Sequence, residues 1–163
     1  MKLIKLISVA FLIVFFAKNS NSQVNTLELK SSSKHALGFA AGGTSGVGLA
    51  YKYSPNRLSF QFVFAPIKSQ YNYAYSAGLS IFYKLVDNKK IDFFLYQGNH
   101  LFVEGSTHPV YNHKDEYLSH GLGFGFEYSF TEKFTASLMA GYGGFNNFKF
   151  ISMTGEMNIF YNF

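Results

Sequence analysis

Residues 151–163 read ISMTGEMNIFYNF and alternate without a break. Ile151, Met153, Gly155, Met157, Ile159, Tyr161 and Phe163 fall on one face of an extended chain. Ser152, Thr154, Glu156, Asn158, Phe160 and Asn162 fall on the other. Successive side chains of a strand point to opposite sides, so a period of two marks a strand with one apolar and one small or polar face. The same pattern recurs upstream. Leu118, Leu122, Phe124, Phe126, Tyr128 and Phe130 share a face backed by Ser119, Gly121, Gly123, Gly125, Glu127 and Ser129. Leu58, Phe60, Phe62 and Phe64 alternate with Ser59, Gln61, Val63 and Ala65.

Counting such segments predicts eight strands at about 35–42, 47–53, 58–65, 72–86, 90–104, 117–130, 134–143 and 149–163. The connectors alternate in kind. Ser54–Arg57, Val86–Lys90 and Thr131–Lys133 carry the Pro, Asn, Asp and Lys of tight turns. Segments 66–71, 105–116 and 143–148 read as longer polar loops. The Gly-rich stretch 42–48 lacks the Lys-Ser/Thr ending and following helix of a phosphate loop, so it reads as a hairpin turn, unexpectedly short for its side of the sheet. Folding about Pro55/Asn56 sets Tyr53 opposite Leu58 and Tyr51 opposite Phe60. Folding about Asn88 sets Leu85 opposite Ile91 and Tyr83 opposite Phe93. Folding about Glu132 sets Phe126 opposite Leu138 and Phe124 opposite Ala140. Each fold lays apolar face on apolar face, which a one-residue slip would destroy. Segment 96–104 is ambiguous: the count puts Gln97 and Asn99 on the apolar side, so either a bulge near Tyr96 restores Phe102 to that side or the strand has left the membrane there.

Composition narrows the class. The chain has 163 residues, room for one domain; 48% are hydrophobic and only 14% charged, which is the wrong balance for disorder. Aromatics make up 20%, as 20 Phe and 12 Tyr with no Trp. With no cysteine, a disulfide scaffold, a thiolate zinc site and a cysteine nucleophile are excluded. Residues 1–22 have the form of a secretory signal peptide: Lys2 and Lys5, an apolar run from Ile7 to Ala17, and small polar residues before Gln23. That run is short for a membrane anchor, which needs about 20 residues. Removing it takes away Lys2, Lys5 and Lys18, so the 14 basic residues fall to 11 against 9 acidic ones. The basic excess is largely the leader's, and nucleic acid is not an expected partner. Residues 23–34 then form a periplasmic N-terminal arm and 35–163 the folded domain.

The two faces decide the environment. The small face carries only a few charges, Lys52, Lys84, Asp92, Glu127 and Glu156, among many Gly and Ser. A soluble barrel of the lipocalin kind, binding an apolar ligand, would turn that face to water and stud it with Lys and Glu. An inverted barrel explains it: Gly and Ser fit a narrow lumen and the bulky face meets lipid. Only a closed barrel pairs every backbone group of a sheet in hydrocarbon. The fold class expected is therefore all-β, an eight-stranded antiparallel up-and-down transmembrane β-barrel. On residues 35–163 the chain resembles the small eight-stranded outer-membrane β-barrel proteins of Gram-negative bacteria, and the outer-membrane β-barrel domain type of Bacteroidota in particular. The leader followed by Gln23, the alternation, and the ending Tyr161-Asn162-Phe163 carry the resemblance. It implies an outer-membrane location, lipid as the surrounding partner, and recognition of the terminal strand, through Ile159, Tyr161 and Phe163, by the barrel-assembly machinery. Aromatic girdles are expected from Tyr71, Tyr73, Tyr75, Tyr142 and Phe145 on the outer side and from Tyr51, Tyr53, Tyr83, Tyr128 and Tyr161 on the periplasmic side.

Candidate chemistry is sparse. Lys84 and Asp92 are expected opposite each other, with Lys52 and Glu127 at a similar depth near the periplasmic end and Glu156 near mid-barrel. They read as an interior polar network of ion pairs filling the lumen, because an unpaired charge there is costly. His100, His108 and His113 read as surface-loop histidines whose spacing matches no zinc pattern, so neither a metal nor a cofactor is expected. Outer-membrane lipid A deacylases and palmitoyltransferases place a His with a Ser and an acid on a barrel rim. This sequence has no His-x-Ser step, and Ser119 and His120 point to opposite faces. A lipid A-modifying acyl hydrolase or transferase is thus the rival to a non-enzymatic barrel, monomeric or weakly associated, that acts structurally or through loops 66–71 and 105–116 on a surface partner.

Overall fold

The structure, a computed structural model, describes residues 33–88, 90–109 and 112–163. The expected leader 1–22 and most of the arm 23–34 lie outside the described residues. Eight strands run β1 His35–Gly42, β2 Gly46–Tyr53, β3 Leu58–Lys68, β4 Asn72–Asp87, β5 Ile91–Thr107, β6 Asn112–Ser129, β7 Phe134–Phe145 and β8 Phe150–Asn162. Each pairs antiparallel with its neighbours in sequence, and β1 pairs with β8 from Ala36↔Asn162 to Ala41↔Met157, closing the ring. Over the residues it pairs, Ala36–Ala41 and Met157–Asn162, closure leaves no free edge, the condition a sheet must meet in hydrocarbon.

The burial pattern is inside-out. Phe62 is 52% exposed, while its neighbour Val63 is fully buried. Phe39, Leu49, Leu95, Leu122, Phe124, Leu138 and Ile159 all face outward and exposed. The lumen holds Ala, Ser and Gly, together with a layer of Phe82, Phe94, Tyr96 and Met139 and a second cluster of Ala36, Ala40, Ala50, Val63 and Phe160. The soluble, lipocalin-like alternative fails on this arrangement, because it needs the aromatic face inside. The inner face is not uniformly small and polar as the alternation predicts: it also carries the rings of Phe82, Phe94 and Tyr96. Phe82 and Phe94 meet edge to face at 5.3 Å, a favoured aromatic geometry, and help fill the barrel's width.

Strand ends and register differ from expectation in specific places. Alternation continues past the expected ends, so most of segments 66–71 and 105–116 is strand: β3 runs to Lys68, β5 to Thr107, and β6 starts at Asn112. Likewise β7 runs to Phe145, and the turn at 146–149 uses left-handed Asn146, Asn147 and Phe148. Across the 54–57 turn Tyr53 pairs with Phe60 and Tyr51 with Phe62, two residues from the predicted partners. A two-residue shift keeps every face, which is why the apolar match survives. Across the β4–β5 hairpin Tyr83 pairs with Leu95, and the register shifts between Lys84 and Val86. The irregularity therefore lies in β4 at Leu85, not near Tyr96. β5 stays in regular register with β6 throughout, with Gln97 and Asn99 outward and Phe102 inward. Across the 130–133 turn Phe126 pairs with Leu138 and Phe124 with Ala140, as predicted. Phe145 points inward, beside Gly43 and Gly143, and leaves the expected outer girdle.

The exterior assignment has a direct test. Phe124→Lys puts a charge on the apolar band and should destabilise the barrel by about 2–4 kcal/mol near the bilayer midplane. Reversible denaturant titration in lipid vesicles measures it, and an unchanged midpoint would reverse the two faces.

Candidate functional site

The lumen contains the molecule's concentrated polar chemistry. Lys52 of β2 and Glu127 of β6 form an ion pair across the barrel, both side chains about nine-tenths buried. The Lys52 ammonium also lies 5.5 Å from the ring centroids of Phe82 and Phe160, so apolar rings flank the pair with their electron-rich faces available to the cation. Lys84 Nζ reaches Asp92 Oδ2 at 2.9 Å, both groups buried. The two are not opposite one another: Lys84 pairs with Phe94, and Asp92 with Asp87. The irregularity at Leu85 moved the register, and the long lysine stem spans the diagonal.

Glu156 serves a different element. It is 4% exposed. Its Oε1 accepts from the Thr44 backbone N–H at 3.0 Å, from the Thr44 hydroxyl, and from the Thr154 hydroxyl at 3.2 Å. Thr44 and Ser45 are the tip of the β1–β2 hairpin, and both are completely buried. The turn therefore folds into the lumen instead of projecting outward. This explains why the first hairpin reads as too short: β1 and β2 have 8 residues each, against 17 and 18 for β5 and β6.

Glycines on the surrounding strands make room for the turn. A Cβ on Gly98 would stand 2.6 Å from the Thr44 carbonyl oxygen, one on Gly121 2.6 Å from Thr44 Cβ, and one on Gly143 2.7 Å from Thr44 Cγ2. Gly98, Gly121 and Gly143 are cross-strand partners in a row, so the barrel carries a glycine shelf at the depth of the turn. Gly46, at φ 94, turns the chain back toward β2 in a conformation that costs a residue with a side chain strain.

A buried turn must still find partners for its backbone polar groups. The Val47 N–H donates to Ser76 Oγ at 3.0 Å, and the Gly43 carbonyl lies 3.1 Å from His100 Nδ1. Ser76 Oγ and His100 Nε2 are 2.9 Å apart. With Nδ1–H donating to the carbonyl, Nε2 is free to accept from the Ser76 hydroxyl. His100 is thus a buried β5 residue that clamps the turn, not a loop histidine. Its inward phase follows from counting Tyr96, Gly98 and His100 down one face; the bulge expected near Tyr96 hid it. The pair matches the nucleophile–base contact of a hydrolase, but both groups are committed to turn backbone, and a carbonyl occupies the place of an orienting carboxylate. His100, Glu104 and Ser106 stay spread along one extended strand.

The other expected groups are placed as follows. Ile159 and Tyr161 face outward on β8; the Phe163 N–H donates to the His35 carbonyl at 3.0 Å, and its ring stacks near His35. His120 faces outward, hydrogen-bonded to Asn99 at 2.7 Å and stacked on Phe148. His108 packs edge-on against Tyr71, and His113 lies on the exposed start of β6. Among the described residues no three His, Asp or Glu converge as a metal site would require.

No family model and no curated protein matches this sequence. Solved structures do resemble it. The N-terminal β-barrel domain of Pseudomonas aeruginosa OprF superposes with a TM-score of 0.52 at 13% identity, covering 83% of this chain and 100% of that one. Neisserial surface protein A, NspA, gives 0.51 at 15% identity, covering 79% of this chain and 94% of that one. At such identities the likeness is one of fold: a closed, eight-stranded, antiparallel up-and-down barrel.

The buried ion pair can be tested by a double-mutant cycle. Lys52→Met leaves Glu127 buried without its partner and should cost about 3–5 kcal/mol, whereas Lys52→Met with Glu127→Leu should regain most of that loss. Denaturant midpoints of Lys52→Met, Glu127→Leu and the double variant decide it; a loss in the double variant equal to the sum of the two single losses would show that the two charges do not depend on each other.

Proposed function

We propose that this chain is an integral outer-membrane β-barrel with a closed lumen, acting structurally or through its surface hairpins and not as a catalyst or a channel. The observation that carries the reading is the inversion of faces in a closed ring: bulky apolar side chains outside, and inside a lumen stopped at two depths. The Thr44–Ser45 turn on its glycine shelf makes one stop, and the layer of Phe82, Phe94, Tyr96 and the two ion pairs makes the other. An eight-stranded barrel is normally filled by its own side chains. The fold shared with the barrels of OprF and NspA supports the same location.

The expected partners follow from that location. Lipid surrounds the wall. The barrel-assembly machinery would receive the terminal strand through Ile159, Tyr161 and Phe163. A surface partner would meet the tips of the β3–β4 and β5–β6 hairpins, within segments 66–71 and 105–116. Against catalysis stands the commitment of Ser76 and His100 to the hairpin backbone.

Three outcomes are expected together. The refolded protein migrates differently boiled and unboiled and fractionates with the outer membrane; planar bilayers holding it show no discrete conductance steps; and lipid A from a deletion strain has an unchanged mass spectrum. A soluble protein without a heat shift would overturn the membrane reading, conductance steps the closed lumen, and an altered lipid A spectrum the absence of catalysis. Deleting Phe163 should lower the amount inserted in the outer membrane, measured by the same fractionation; an unchanged amount would remove the terminal residue from assembly.

A further inference from the structure

The inward fold of the β1–β2 hairpin interrupts the barrel wall above it. β8 pairs with β1 only from Met157 to Asn162, so Phe150–Glu156 is paired on its β7 side alone. β3 pairs with β2 only from Phe60 to Phe64, so Ala65–Lys68 is paired on its β4 side alone. Between those two half-paired segments stands only the bent tip of the short hairpin.

A cavity of about 700 Å³ occupies this place. Its lining comes from both faces of the sheet. Ile67, His100, Phe102 and Tyr117 belong to the lumen-facing phase of their strands, whereas Val47 and Gly155 belong to the outward-facing phase. One cavity can touch both phases only where the wall is open, so the space runs from the upper lumen out to the side. The strand bordering it carries Ile151 and Met153, 73% and 70% exposed, the highest values among large apolar side chains of the described residues. On the other border stands outward-facing Phe64. The mouth therefore opens into the apolar band.

We infer that this lateral cleft between β3 and β8 binds one acyl chain of an amphiphile drawn from the surrounding bilayer. Two features select that chemistry. The cavity walls are predominantly apolar, and its volume lies in the range of small-molecule sites, about 300–1,000 Å³. The two half-paired strand edges present backbone N–H and C=O groups at the mouth, where hydrocarbon cannot satisfy them. A tail inside, with an ester or head group at the mouth, answers both requirements. The turned-in hairpin is the floor, so the chain enters sideways and stops above Thr44 and Ser45.

The chain contains no Trp, so a single introduced Trp reports its own surroundings. Phe102→Trp is a conservative replacement inside the cleft. Phe124→Trp on the lipid face is the positive control, and Phe82→Trp, in the closed part of the lumen, is the negative one. Each variant is reconstituted in vesicles of phospholipid brominated on the acyl chain, after its heat shift shows a folded barrel. Phe102→Trp should be quenched nearly as strongly as Phe124→Trp, and adding Ala65→Leu, which fills the cavity, should remove most of that quenching. Quenching as weak as that of Phe82→Trp overturns the cleft. The inference rests on the barrel lying in a bilayer: a Phe124→Trp variant that is not quenched overturns both, whereas a quenched Phe124→Trp beside an unquenched Phe102→Trp overturns the cleft alone. A brominated free fatty acid added to unbrominated vesicles separates the two sources of the chain. Quenching of Phe102→Trp only by the free acid would overturn a bilayer lipid as the occupant.

Discussion

The structure depends on one constraint: the peptide groups of a sheet facing hydrocarbon must all be paired within the sheet. The ladder from Ala36↔Asn162 to Ala41↔Met157 meets it over that span by joining the first strand to the last, and leaves it unmet only beside the short first hairpin. Once the ring is closed, the faces have no choice. Eight strands enclose a lumen only wide enough for side chains, so the inner phase must be small or self-complementary, and the outer phase can be as large as lipid permits. Phe62 exposed beside Val63 buried is that rule within two residues.

Within the narrow lumen, each of the buried charges described above is held by a partner. Lys52 with Glu127 and Lys84 with Asp92 are pairs because neither member is tolerable alone in that environment. Among the described residues Glu156 meets no cation; two donors from Thr44 and one from Thr154 bond its Oε1 instead. Its carboxylate and the turn it holds are mutually dependent: the buried turn brings the donors, and the carboxylate makes burying them tolerable. Ser76 and His100 complete the same exchange from the other side of the turn.

The fold was legible in the sequence because a period of two is a local signal repeated in every strand, and because a register error of two residues leaves both faces intact. The pairing of Phe124 with Ala140 was also legible, since the 130–133 turn is tight and regular. Two other registers were not. The turn after Tyr53 takes more residues than its Pro55-Asn56 core suggests, and the irregularity at Leu85 leaves no mark in composition. Loop lengths were overestimated because polar residues such as Asn112, Lys114 and Glu116 can alternate in a strand that has risen out of the apolar band. The inner charges were visible as exceptions on a small-residue face. The clamp of Ser76 and His100 was not, because its partners belong to a turn whose inward direction no local pattern records.

That direction has one source in the chain. The three residues between Gly42 and Gly46 are too few to form a projecting loop, and β1 and β2 end well below the tips of β5 and β6. A hairpin so short leaves the upper edges of β3 and β8 without a partner unless something else approaches them. Bending the tip inward removes it further from those edges while blocking the lumen. The same shortening therefore closes the barrel along its axis and opens it at its side. On the proposed reading a barrel so built offers no axial path, and the cavity beside the hairpin communicates with the surroundings of its wall. Whatever enters that space must be chemically compatible with Ile67, Phe102 and Tyr117 within and with bare peptide edges at the entrance, and those demands follow from hairpin length before any ligand is considered.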